Sequence, residues 1–191
     1  EVGSLVCAFE EFSQEFPHTR IRVLETSLSG TTEALLEKTA DLVIGTKTPP
    51  GFQSRPLLQV KMLAVAAPGH PLVKNREDVS ELELRSMRQV VLGDTGTFRE
   101  QDSGWLQADQ RWTVSHFSTS IKLLRSGLVF AFLPQNWIEE ELAEGSLQRI
   151  PLAPSMDRLL QVHMMLADNQ AAGPATKALY ETIFEKLSAP A

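Results

Sequence analysis

Two short runs hold the residue types that can grip a small anion, Ser27-Leu-Ser-Gly-Thr-Thr32 and Ser115-His-Phe-Ser-Thr-Ser120. Each stands just ahead of a stretch with helical patterning. The first turn of a helix presents backbone N–H groups that lack intrahelical partners, and a carboxylate or another anion satisfies them. Ser29, Gly30 and Thr31 are the candidates in the first run; His116, Phe117 and Ser118 are those in the second. The same residues also have plain structural uses: the hydroxyls cap helices, Ser118 above all, His116 can be satisfied by backbone, and Phe117 can belong to the core.

The triplet Asp94-Thr95-Gly96 follows the apolar run Val90 to Leu92 and has the composition of an aspartic-protease triplet. That chemistry needs two carboxylates sharing one proton, and the chain has one such triplet. Asp94 and Thr95 are therefore candidates for ligand contact rather than catalysis. The four histidines, His18, His70, His116 and His163, form no i, i+4 pair and no cluster with cysteine, so no metal signature is present. There is no G-x-G-x-x-G, P-loop or G-x-S-x-G motif, hence no signature of a nucleotide cofactor or a nucleophile elbow. Cys7 stands alone among Val6, Ala8 and Phe9, which predicts a small buried hydrophobe and fits a reducing cytoplasm. A net charge of −6 without a basic cluster argues against direct nucleic-acid binding by these residues. No run is apolar enough to span a membrane, and the acidic start does not read as a signal peptide.

The elements that must position the candidates follow from periodicity. Leu5, Phe9, Phe12 and Phe16 mark one face of a helix ending before Pro17. Ile21 and Val23 alternate with arginines and predict a strand, and Glu33 to Lys38 a helix. Asp41-Leu-Val-Ile-Gly45 and Lys61 to Ala67 are apolar runs of the kind buried on both faces, separated by the loop Thr48-Pro-Pro-Gly51. After Pro68-Gly-His-Pro-Leu72 the pattern restarts. Ser80 and Glu83 make a capping box, Gln89 to Leu92 a strand, Trp112 to Ser115 another, and Ser118 caps a helix carrying Ile121 and Leu124. Leu128 to Leu133 is a buried strand, Pro134 opens a helix with Ile138 and Leu142, and Gly145 closes it. Strands at Leu147 to Leu152 and Leu159 to Ala167 precede a last helix opened by Gly173-Pro174, with Leu179, Ile183 and Leu187 on one stripe. The alternation predicts an α/β fold built from βα units on parallel sheet.

Taken in order, Phe12 with Phe16-Pro17, Asp41 to Gly45, Pro68 to Leu72, Gly127 to Pro134, Leu142 to Leu147 and Gly173-Pro174-Ala175 resemble the effector-binding domain of LysR-type transcription regulators over more than 160 residues. The resemblance implies two Rossmann-like lobes joined by two crossover strands, of the type 2 periplasmic-binding-protein kind. Lobe I would hold residues 1–66 and 167–191, and lobe II residues 67–166. It also implies a small anionic or aromatic acid effector in the cleft between the lobes, with contacts at the two hydroxyl-rich turns and near Asp94. DNA would be bound by an N-terminal winged helix-turn-helix outside this sequence, this domain would pair as a homodimer, and the full protein would form a tetramer. The family's first lobe begins with a central strand that nothing before Leu5 supplies, so the sequence is expected to start inside the family's domain. Val129 stands where the family often has glycine.

The function expected is therefore sensing, not catalysis, without a cofactor and without a membrane. One alternative is an exported solute-binding protein of the same fold, which needs an export signal. Another is a small enzyme with its site in the same cleft, for which Asp94 and His116 are the one pair that could serve as acid and base.

Overall fold

The structure is a computed structural model that describes residues 2–97, 105–153, 156 and 158–188. Its chain divides into two compact units, with unit 1 holding Glu1–Gln59, Gly96–Arg99 and Gln161–Ala191, and unit 2 holding Val60–Thr95 and Glu100–Leu160.

Unit 1 opens with α1 (Val2–Glu15), whose apolar residues Leu5, Ala8 and Phe9 pack with Leu179, Ile183 and Phe184 of the last helix, α6 (Pro174–Ser188). Pro174 is the first residue of α6, where its missing N–H costs nothing. Two ion pairs tie α6 down, Lys186 Nζ to Glu11 at 2.5 Å and Arg55 to Glu181 at 2.7 Å. Strand β1 (Leu42–Gly45) runs antiparallel to the end of β7 (Arg158–Leu166), with Leu42 opposite Leu166 and Gly45 opposite His163. Successive side chains of a strand point to opposite faces. Met164 accordingly joins Ala8, Leu57 and Ile183, whereas Met165 joins Leu35 and Val43 beneath α2 (Ser29–Leu36). Both faces are covered, which is why this strand reads as a continuous apolar run.

Two expectations fail in this unit. Residues 19–26 form no strand, and Val23 is 60% exposed. Alternation makes a strand only where a neighbouring backbone completes the ladder, and what holds the middle of this segment is a side chain, Arg22 Nη2 donating to the Thr39 carbonyl at 3.1 Å. Cys7 is exposed, not buried: the packed face of α1 passes through Leu5, Ala8, Phe9 and Phe12, and position 7 lies about 100° round the helix from Ala8.

Unit 2 holds the later part of β2 (Ser54–Ala66), which pairs antiparallel with β5 (Phe130–Pro134) and, at Val65 and Ala66, with β6 (Gln148–Arg149). Parallel to β5 lies β3 (Arg88–Leu92), and parallel to β3 lies β4 (Gln110–Val114), with Leu92 opposite Val114. The sheet is therefore mixed, not wholly parallel. Leu63, Val65, Ala131 and Leu133 face α4 (Phe117–Arg125) and α5 (Glu139–Ala143). Ala64, Ala66 and Phe130 face the other way, toward Leu84 of α3 (Glu81–Ser86) and Trp105. The result is an α/β unit with helices on both faces of its sheet. The capping box forms as expected: Glu83 N donates to Ser80 Oγ, and Glu83 Oε2 accepts the Ser80 N–H at 2.9 Å. Pro134 ends β5 and is followed by one 3-10 turn, Gln135–Trp137, before α5. Gly145 takes φ of 73°, the left-handed conformation that ends a helix without a Cβ penalty. Val129 is fully buried in the core of this unit.

Candidate functional site

In unit 1 the run from Ser27 to Thr32 enters α2 differently from a simple hydroxyl cap. The N-cap is Leu28, with φ of 52° and no side-chain capping bond, so helix α2 begins at Ser29, earlier than its apolar pattern predicts. A leucine in that region is strained by about 1 to 3 kcal/mol. The turn is held by Gly30 N donating to the Ser27 carbonyl at 3.1 Å and by a 2.9 Å hydrogen bond between the Thr26 and Thr31 hydroxyls. Ser29 is buried.

Leu28, Thr31 and Thr32 meet Thr46 and Lys47, which follow the C-terminal end of β1, around a recess of about 30 Å3. That is room for one or two waters or for the head of a ligand. The lining of three threonine hydroxyls and a lysine suits a carboxylate, and the end of a strand is where α/β folds place ligands. Gly45 permits the approach, since a Cβ there would lie 2.9 Å from Thr31 Cγ2. Thr46 and Lys47 were not among the sequence candidates. Their one sequence signal is position, immediately after a buried apolar run.

Residues 96 and 97, also of unit 1, lie against the start of α2. Thr97 donates to Glu33 Oε2 from its N–H at 2.7 Å and from its hydroxyl at 3.2 Å. Gly96 is so close that a Cβ would fall 1.9 Å from Ser29 Oγ. The chain's own backbone therefore lines this turn, a contact between residues 64 positions apart.

In unit 2, Asp94 and Thr95 follow β3 while His116, Phe117 and Ser118 follow β4, its parallel neighbour. The two segments leave the C-terminal edge of the sheet side by side, and Gly93 N donates to the Val114 carbonyl at 2.8 Å. The N-cap of α4 is His116, not Ser118, and it makes no side-chain capping bond. Ser118 is an exposed residue inside the first turn. Phe117 is anchored edge-on to Trp137 at 5.1 Å, which makes it part of the wall rather than a free stacking surface. The capping use of Ser118 is thus replaced by an open first turn carrying His116, Ser118 and Thr119.

His70 is nearly fully buried in unit 2, and its Nδ1 accepts the Leu72 N–H at 3.2 Å. Burial lowers its pKa, which favours the neutral ring in a structural role. Among the described residues no group of three or more His, Cys, Asp or Glu is arranged to hold a metal ion.

The LysR substrate binding domain family matches residues 3–188. The uncharacterized HTH-type transcriptional regulator YeeY of Escherichia coli K12 is 29% identical over 143 residues, 72% of this chain and 46% of the relative. The chain thus spans about half the length of the curated relatives it matches. Among solved structures, the regulatory domain of MetR, a LysR family regulator from Neisseria meningitidis, has a TM-score of 0.70 at 16% identity, over 96% of this chain and 87% of that one. The CcmR regulatory domain of Synechocystis PCC6803, solved in complex with 2-PG, has a TM-score of 0.73 at 11% identity, over 96% of this chain and 90% of that one. The two-lobed, type 2 periplasmic-binding-protein-like architecture is the fold they share with this chain.

Proposed function

The chain belongs to the LysR substrate binding domain family, and from that membership we propose that it is the effector-sensing part of a LysR-type transcription regulator. The observation that carries the reading is the pair of hydroxyl-bearing helix starts without side-chain caps, at α2 and α4, in a chain whose family match runs nearly end to end. Ser29, Gly30 and Thr31, with Thr46 and Lys47, are the proposed contacts in unit 1. Asp94, Thr95, His116, Phe117 and Ser118 are those in unit 2. The effector is a small anionic or aromatic acid: the hydroxyls of both turns and Lys47 supply donors, and Phe117 an apolar edge. CcmR in complex with 2-PG is a precedent for a small ligand on this fold.

The regulator as a whole binds DNA through a winged helix-turn-helix segment outside this sequence, as the HTH-type names of its relatives support. It works in the cytoplasm as a homo-oligomer, a dimer through this domain and a tetramer overall. The two lobes, residues 1–66 with 167–191 and residues 67–166, respond to an effector only as far as it binds one arrangement better than another. No catalytic step is assigned to it. Among the described residues no helix is long and apolar enough to cross a membrane.

The test is a thermal-shift screen of the purified chain against small carboxylates, aromatic acids, amino acids and sugars. A ligand at 100 times its Kd adds about 2.7 kcal/mol, and Thr31→Ala and Ser118→Ala should each reduce the shift. A panel in which nothing moves the transition, or in which both variants respond like the parent, removes these residues from the site.

A further inference from the structure

Unit 2 holds a second recess, of about 190 Å3, lined by Glu81, Trp105, Gln107, Phe132, Met156 and Arg158. None of these residues belongs to the turns discussed above. Its size is below the roughly 300 to 1,000 Å3 of drug-sized pockets, so it suits a metabolite of few atoms.

The walls are fixed before any ligand arrives. Trp105 is buried, with its ring tilted against Phe130 at 5.9 Å and Phe132 at 5.8 Å. Its backbone carbonyl accepts the Gln89 side-chain N–H at 2.9 Å, and its indole N–H donates to Glu81 Oε1 at 3.4 Å. Arg85 donates to the same Glu81 oxygen and to Gln107 Oε1.

What remains is a set of polar groups without partners. Both hydrogen bonds to Glu81 end on Oε1, which leaves Oε2 as an acceptor. The Gln107 amide nitrogen donates to nothing among the described residues, and the Arg158 guanidinium likewise meets no acceptor there. A planar guanidinium with open donors is a carboxylate receptor. A carboxylate oxygen left over on the same rim repels a simple anion and attracts an ammonium. Phe132 and Met156 add an apolar and thioether surface for an aliphatic or aromatic side chain.

We propose that this recess is a second ligand site, selective for a free α-amino acid. The carboxylate sits on Arg158 and the Gln107 amide, the ammonium on Glu81 Oε2, and the side chain against Phe132 and Met156. The site is independent of the effector turns and needs no contribution from unit 1.

Calorimetric titration of the purified chain with three probes tests it: L-leucine, isovalerate, which lacks the ammonium, and isoamylamine, which lacks the carboxylate. Leucine should bind saturably, and each truncated probe at least tenfold more weakly. Arg158→Gln and Glu81→Gln should each weaken leucine at least tenfold. Arg158 has no partner to lose, so its variant keeps the parent melting temperature, while Thr31→Ala and Ser118→Ala leave leucine binding unchanged. Isovalerate binding as well as leucine would overturn the proposal in favour of a plain anion recess. Leucine binding that survives Arg158→Gln but is lost in Thr31→Ala would place the amino acid at the effector turns instead, and no leucine binding at all would overturn the proposal outright.

Discussion

Replacing Gly96 by alanine tests how tightly the chain's own backbone is laid against the start of α2. The new methyl would fall 1.9 Å from Ser29 Oγ, 2.7 Å from Glu33 Oε1 and 3.0 Å from the Gly30 nitrogen, where ordinary contact begins near 3.4 Å. Rotating Ser29 about its χ1 relieves the first clash. It does not relieve the third, because a helix backbone cannot turn aside. The segment must therefore lift by several tenths of an ångström or more, and Thr97 gives up its two bonds to Glu33. Overpacking of this kind costs about 1 to 3 kcal/mol. The loss cannot exceed what it takes to release residues 96 and 97 altogether, and two hydrogen bonds to a carboxylate at a partly exposed position again give about 1 to 3 kcal/mol. For a chain of this length each kcal/mol moves the Tm by roughly 2 to 4 °C. Gly96→Ala should lower the Tm by several degrees and speed hydrogen exchange at the Thr97 amide. Glu33→Gln should do part of the same, and the double variant should fall short of the sum because both changes break one contact. A Gly96→Ala protein with the parent Tm and unchanged Thr97 exchange would refute the packing of residues 96 and 97 on α2.

Three further outcomes follow from the geometry. Burial holds His70 below its ordinary pKa of 6.5, so the unfolded chain takes up a proton that the folded one refuses; stability should be level above pH 6.5 and fall as the pH drops toward the folded value, and His70→Gln should flatten that slope in urea titrations. The Ser80 N–H and hydroxyl, followed by Arg76, pull Glu83 down to about 2, so its contribution to the α3 cap is present above the usual carboxylate range and disappears as the pH falls through about 2; Ser80→Ala should cost about 1 kcal/mol at neutral pH. Leu124, fully buried where α4 meets β3 and β5, should cost about 2 to 5 kcal/mol on truncation to alanine, measured by equilibrium denaturation, whereas Leu82→Ala, 77% exposed, should be close to neutral.

What the sequence disclosed and what it hid divide along the range of the interactions involved. The face of α1, the Ser80–Glu83 cap, the stop at Gly145 and the start of α6 at Pro174 are written within one or two helical turns, and all four are present. Arg20 to Leu24 carries a strand's alternation but lacks a ladder, because the partner of a strand lies elsewhere in the chain. The same limit explains Cys7, whose apolar neighbours said less than its angle on α1. The α2 and α4 turns were legible as hydroxyl-rich helix starts. That Leu28 and His116, rather than serines, occupy the cap positions was not, because it depends on how the incoming backbone is bent. Thr46 and Lys47 join the first turn only after β1 has packed beside α2, and Thr97 reaches Glu33 across 64 positions of the chain, a separation no local pattern records.

The exposure of Cys7 has a bearing on every attempt to count subunits. It is the one thiol in the sequence, and it sits in water on the outer side of α1. In air-oxidised preparations two chains can be stapled through it, yielding a covalent pair on denaturing gels that owes nothing to a native interface. A Cys7→Ser protein kept as the working form separates chemistry of storage from biology of assembly. The same thiol, left in place and reduced, accepts a single fluorophore at a defined point on the first helix, so that one molecule can report on its neighbours by the light it transfers to them.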